Sequence, residues 1–210
     1  MKTLAVISHK GGAGKTTIAL HLAVAAEAAG IGTAIFDLDP QASAAIWSDH
    51  RGEPIPAVVP AQAPRLAGLL KQAQAQAADL VILDTPPHTD GTATDAAAFA
   101  DIILIPCRPS ALDLDAIGAS IRLARVTKTP CYVVINAAPY QGVETSDAIA
   151  ALTAAGVEVC PVVLCNRKAY MSRMHEGRTA QEIEPRGKAA QEVEALLLWL
   201  CDKVLLLPKQ

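Results

Sequence analysis

Apolar residues along the chain fall in short runs set between longer stretches with helical spacing. The runs Thr3–Ser8, Thr33–Leu38, Leu80–Leu83, Ile102–Ile105, Cys131–Ile135 and Val159–Leu164 are four to six residues long and nearly continuous. That pattern predicts strands covered on both faces, as in a parallel sheet. Between them, Lys15–Ala29 reads as a helix closed by Gly30 and Gly32, and a second helix begins at Pro40 and includes Trp47. Arg65–Ala78 is amphipathic, with Leu66, Leu69, Leu70 and Ala73 on one side, and its Gln/Ala-rich end still favours helix. Ser110 is placed to cap a helix running to about Val126, Thr145–Ala155 forms another, and Pro185–Leu207 is a helical, increasingly apolar tail. Arg51–Pro64, rich in Pro and Gly, reads as a surface excursion with one short strand at Val58 and Val59. Strands alternating with helices predict an α/β fold, a mostly parallel twisted sheet with helices on both faces, in a single domain spanning 1–210.

Composition sharpens this picture at three points. Aromatic residues are only 3% of a chain that is 51% hydrophobic, so the core is built from Ala, Val, Leu and Ile. The opening Met1-Lys2 runs directly into the first strand, with no secretory leader in between. The five cysteines (Cys107, Cys131, Cys160, Cys165, Cys201) never form C-x-x-C, which suits reduced, mostly buried thiols in a cytoplasmic protein. Net charge is −3, yet from Cys165 to Lys188 six basic residues stand against three acidic ones. A basic zone on an acidic body is a nucleic-acid cue that the total conceals, although a solvated charged face has the same composition.

The chemistry concentrates after the first strand. Ser8–Thr17 reads S-H-K-G-G-A-G-K-T-T, a glycine-rich turn between a strand and a helix. Backbone N–H groups of such a turn and the positive end of the helix surround phosphate oxygens. Gly11, Gly12 and Gly14 let the chain curl closely, Lys15 reaches the β- and γ-phosphates, and the Thr16 hydroxyl takes a Mg²⁺ position. Two further strand ends carry carboxylates: Asp37 and Asp39 in D-L-D-P-Q, and Asp84 after L-V-I-L. Asp84 matches the strand-end carboxylate that holds Mg²⁺ opposite Thr16. Asp37 and Asp39 share one face if the strand continues through them. Asn136 ends the Y-V-V-I-N strand, and Thr85–His88 follows Asp84 where a γ-phosphate sensor sits; Asn136 equally suits a turn, and His88 a solvated loop.

The position five residues before Gly14 is His9 where the common phosphate-loop pattern has glycine, and a second lysine, Lys10, heads K-G-G-A-G-K-T-T. This resembles the deviant Walker A motif of the ParA/MinD group of P-loop ATPases. D-L-D-P-Q, V-I-L-D-T-P-P, P-S-A-L-D-L at Pro109–Leu114, V-I-N and the late N-R-K-A-Y through E-P-R-G-K-A-A-Q-E-V are similar, in order, to short ParA partition proteins without an N-terminal helix-turn-helix. The resemblance implies a P-loop ATPase using ATP and Mg²⁺, with Lys10, Gly11, Gly12, Ala13, Gly14, Lys15, Thr16 and Thr17 around the phosphates and Asn136 at the adenine edge. It implies that Lys10 crosses to the nucleotide of a partner subunit, that Asp39 positions the attacking water, and that Asp37 supports the metal held by Thr16 and Asp84. It further implies an ATP-sandwiched homodimer that binds DNA without sequence preference, associates with the nucleoid, and is released when a ParB-like or other cargo adaptor stimulates slow hydrolysis. Arg167, Lys168, Arg173, Arg178, Arg186 and Lys188 are the DNA-contact candidates, with Arg122, Arg125 and Lys128 a weaker set.

Three other readings use a similar loop. A MinD-like protein binds membrane through a C-terminal amphipathic helix, but Leu196–Leu207 carries only Asp202 and Lys203 and no basic face, so it reads as a helix packed on the sheet. An iron-protein relative requires paired cysteines between subunits, and a P-loop metabolite kinase or ligase needs a second substrate.

Overall fold

The computed structural model describes residues 1–87 and 90–204. Its centre is a seven-stranded sheet in which every neighbouring pair is parallel. The strands are β1 (Lys2–Val6), β2 (Thr33–Asp37), β3 (Ala57–Pro60), β4 (Leu80–Asp84), β5 (Ile102–Cys107), β6 (Cys131–Ala138) and β7 (Val159–Cys165), in the order β3-β2-β4-β1-β5-β6-β7. The helices are α1 (Lys15–Ala28), α2 (Ser43–Arg51), α3 (Leu66–Ala75), α4 (Asp90–Phe99), α5 (Ala111–Thr127), α6 (Glu144–Ala154), α7 (Ala180–Ile183) and α8 (Lys188–Val204).

Alternate strand residues face two separate apolar layers. Leu4, Val6, Ile35, Ile82, Leu104 and Val134 pack with α1, α8 and Trp47 of α2. Ala5, Ile7, Phe36, Val81, Leu83, Ile103, Ile105 and Ile135 pack with α3 to α6 on the other side. β2, β4 and β5 are buried at every residue, which explains why their sequences run apolar without alternation. The tail behaves as its composition predicts over the described residues: α8 lies against α1 and β7, with Val193, Leu196, Leu197, Leu200 and Cys201 inward. No helix among the described residues is long and apolar enough to cross a membrane.

Several expected boundaries move, and α4 has no counterpart among the helices that the sequence pattern predicts. The helix expected from Pro40 starts at Ser43, because Pro40–Ala42 form a turn that the Asp37 carboxylate ties to the helix start. β6 runs three residues beyond Ile135, carrying Asn136 inside the strand. The excursion after Arg51 supplies a full edge strand, β3, paired with β2. His88 and the chain beyond Val204 lie outside the described residues.

β1 lies between β4 and β5, with β2 beyond β4. The segments leaving β1, β2, β4 and β5 therefore meet at one edge of the sheet, where open α/β sheets bind ligands.

Candidate phosphate-binding site

The turn from β1 into α1 is shaped by two glycines. Gly12 (φ +71°) and Gly14 (φ +97°) both sit in the left-handed region. A Cβ at Gly14 would also lie 2.2 Å from Asn136 Nδ2, so glycine is demanded there twice. At Gly11 a Cβ meets nothing within 4 Å, and that side of the turn faces outward. Asn136, from β6, donates through Nδ2 to the Ala13 carbonyl at 2.7 Å and so braces the turn from behind.

Lys15 opens α1 and is buried. Burial lowers its pKa, and the charges of Asp84 and Asp39 partly oppose that shift. Asp84, at the end of β4, is fully buried, and neither carboxylate oxygen has a hydrogen-bond partner among the described residues. Burial raises its pKa to about 7; the Thr16 hydroxyl lies close enough to favour the charged form without full hydrogen-bond geometry, and Lys15 acts in the same sense. A buried carboxylate without a partner is costly. Asp84 and the Thr16 hydroxyl are oxygen ligands of the kind that Mg²⁺ takes alongside water and phosphate oxygens, so these two residues fit Mg²⁺, although no three acidic, His or Cys side chains converge among the described residues.

Asp37 and Asp39 do not share a strand face, because β2 ends at Asp37 and the turn begins there. Asp37 is buried; its Oδ1 accepts from the Asp39 amide at 3.1 Å, and its Oδ2 accepts from the Ala44 and Ala45 amides at 2.9 and 3.1 Å. Burial raises its pKa against those three bonds. Its carboxylate thus anchors α2. Asp39 is half-buried, accepts from the Gln41 amide at 2.9 Å, and lines an open cleft of about 660 Å³ bordered by Pro40, Pro60 and Thr92. Thr85 donates to the Val6 carbonyl at 2.9 Å, pinning the start of the segment after β4 to β1.

Lys10 points to the other side. Its Nζ sits 2.7 Å from Asp113 Oδ2, near the start of α5, where Ser110 caps the helix and also bonds that carboxylate. Arg108, just after β5, donates to the Gly12 carbonyl at 2.6 Å. Asp113 lies within the P-S-A-L-D-L segment, yet sequence reasoning assigns it no role; its place three residues after a capping serine is the available signal. Arg108 offers none.

The six basic residues of the late zone divide into two groups. Arg167 pairs with Glu192 at 2.6 Å and lies over the Tyr140 ring. Arg173 pairs with Glu176, and Arg178 with Glu53 and Glu182. Lys168, Arg186 and Lys188 are exposed and have no ion pair among the described residues.

With this geometry in place, comparison decides the family. The CobQ/CobB/MinD/ParA nucleotide-binding domain matches residues 4–180, most of the chain. The chain belongs to that family. The maintenance of carboxysome distribution protein A of Gloeobacter kilaueensis is 33% identical over 92% of this chain and 89% of its own length. The protein ParA of Rhizobium radiobacter is 27% identical over 92% of each. Among solved structures, an ATP complex of a Cyanothece McdA variant superposes with a TM-score of 0.78 at 18% identity, covering 100% of this chain and 98% of that one, which is a likeness of fold. The chain is a ParA/MinD-type ATPase.

Proposed function

We propose that this ParA/MinD-type ATPase is a positioning protein: it pairs on ATP, holds non-specific DNA in that state, and lets go when an adaptor on its cargo stimulates hydrolysis. The relatives named for carboxysome distribution favour a large protein assembly as the cargo over the plasmid that the short-ParA resemblance suggests. The observation that carries the reading is Asp84, buried beside Thr16 without a hydrogen-bond partner among the described residues, at a glycine turn headed by Lys10.

ATP places its phosphates in the β1–α1 turn, against backbone N–H groups and the start of a 14-residue helix. Thr16 and Asp84 would hold Mg²⁺, which would supply charge neutralisation to the triphosphate. Lys15, whose charge Asp84 and Asp39 favour against the effect of its burial, adds a positive charge. Asp39 stands half-exposed on its turn, able to orient an attacking water, while Asp37 keeps that turn in register with α2. Lys10 leaves the loop on the side opposite these aspartates and reaches the nucleotide of a second copy. Hydrolysis is then slow in the lone chain and depends on pairing.

Light scattering with a non-hydrolysable ATP analogue and Mg²⁺, alongside ATP turnover with and without DNA, tests the reading. Wild type should pair, and Lys10→Ala should bind nucleotide but lose stimulated turnover. A lone polypeptide at saturating analogue, or full turnover in Lys10→Ala, refutes it.

A further inference from the structure

Lys10 emerges from a glycine turn, where nothing in the local backbone restrains a long, flexible side chain. A lysine left free would sample many rotamers, and each would be lost on engaging a phosphate. Here the ammonium is instead held at one point, 2.7 Å from Asp113 Oδ2.

The anchor is itself well built. Asp113 is buried, with its side chain 6% exposed, while that of Lys10 is 37% exposed. Its amide donates to the capping Ser110 hydroxyl, which returns a bond to the carboxylate. It lies in the first turn of a 17-residue helix, where the dipole favours an anion. Arg108 stands close enough to act on it electrostatically and is itself fixed to the phosphate turn through the Gly12 carbonyl. The carboxylate is therefore rigid, ionised and compensated. An ammonium has three donors; Asp113 takes one, leaving two on the exposed side.

We propose that Asp113 is a positioning residue for hydrolysis: it holds the Lys10 ammonium in place on the rim of the phosphate turn, so that pairing delivers a pre-aimed charge to the nucleotide across the interface. This rests on the reading of Lys10 as a group that acts in trans. Asp113 itself touches no phosphate. Its removal spares nucleotide affinity, which Lys15 and the turn supply, and slows turnover in the paired state.

Full-length Asp113→Ala, Asp113→Glu, Lys10→Ala and the double variant Lys10→Ala/Asp113→Ala are compared for binding of a fluorescent ATP analogue, melting temperature and Mg-ATP turnover at pairing concentrations. Asp113→Ala should keep wild-type nucleotide affinity and lose about tenfold in kcat, the scale of a misaimed group. Asp113→Glu should recover part of that loss. The double variant should be no slower than Lys10→Ala, because both substitutions remove one function. Wild-type kcat in Asp113→Ala overturns the proposal while leaving the role of Lys10 intact. A double variant slower than Lys10→Ala, or a kcat loss matched by loss of nucleotide affinity, assigns Asp113 to the support of α5 and overturns it equally. Full turnover in Lys10→Ala removes the underlying reading, and the proposal with it.

Discussion

Two buried groups, Asp84 and His21, respond to pH with opposite sign. Asp84 titrates at about 7 in the folded chain, above its ordinary value, because burial disfavours the carboxylate. Between the unfolded value and 7 the folded form keeps a proton that the unfolded chain has released, so this group adds stability as pH falls through that window. His21 on α1 titrates at about 4, pushed down by burial. Its Nδ1 lies 2.8 Å from the Thr17 carbonyl, and its Nε2 accepts from the Ala180 amide, a role closed to the imidazolium. Between 6.5 and 4 the unfolded chain takes a proton that the folded chain refuses, so this group removes stability as pH falls. Each effect is on the order of 3 kcal/mol. Urea unfolding from about pH 7.5 to 4.5 should show His21→Gln gaining stability on acidification and Asp84→Asn losing it, while wild type changes less than either; parallel curves in the two variants refute the assignment. Asp84→Asn should also lose Mg²⁺-dependent nucleotide binding. At Gly14, alanine meets both a positive φ and the Asn136 amide, and should cost about 2 kcal/mol together with nucleotide affinity. Unaltered binding by Gly14→Ala would mean that the turn relaxes freely.

At the scale of elements, the turn after β2, which carries Asp39, is joined to the late basic segment through α2. Asp37 anchors the start of α2, and Arg51 closes its end with bonds to the Gly177 carbonyl and Glu182 at 2.9 and 3.1 Å, its guanidinium over Trp47. Gly177 has φ +69°, and a Cβ there would lie 2.2 Å from the Arg51 backbone. Gly177→Ala should therefore destabilise the chain by about 2 kcal/mol or more, read as a lower urea midpoint, because neither backbone has a side chain that can yield. A midpoint equal to wild type would show that the two segments part easily. None of this clasp is legible in the sequence. Strands, phosphate turn and Asp84 are, because each depends on local order: an apolar run, then glycines or a carboxylate. Arg51 and Gly177 are far apart in sequence, and their pairing depends on how two loops cross. The same limit hides the bond between Lys10 and Asp113, although both residues stand in recognisable motifs. The start of α2 is misplaced for a related reason, since Pro40 resembles a first-turn proline until the Asp37 carboxylate is seen to set the helix start at Ser43.

The whole molecule carries a net charge of −3, so any hold on DNA depends on how its cations are distributed. In the basic zone, Arg167, Arg173 and Arg178 each face a glutamate, and Arg167 is also drawn into a network in which Glu192 accepts from Tyr170 and from the Cys165 amide. An arginine so engaged must leave its partner to meet a phosphate, and for Arg167 that would strand a half-buried carboxylate. Lys168, Arg186 and Lys188 owe nothing comparable. Sequence alone weights all six equally; the structure places Arg167, Arg173 and Arg178 in ion pairs and leaves Lys168, Arg186 and Lys188 exposed without one among the described residues. Fluorescence anisotropy with ATP and a short duplex, across a range of salt, tests the division. Lys168→Ala with Lys188→Ala should weaken binding and flatten the dependence of log K on log salt by about 0.9 for each phosphate no longer neutralised, with folding unchanged. Arg167→Ala should lower the melting temperature and leave the salt slope intact. If Arg167→Ala flattens the slope as much as the lysine pair does, the exposed cations are not the whole DNA-binding surface, the division fails, and pairing on ATP must open the Arg167–Glu192 bridge.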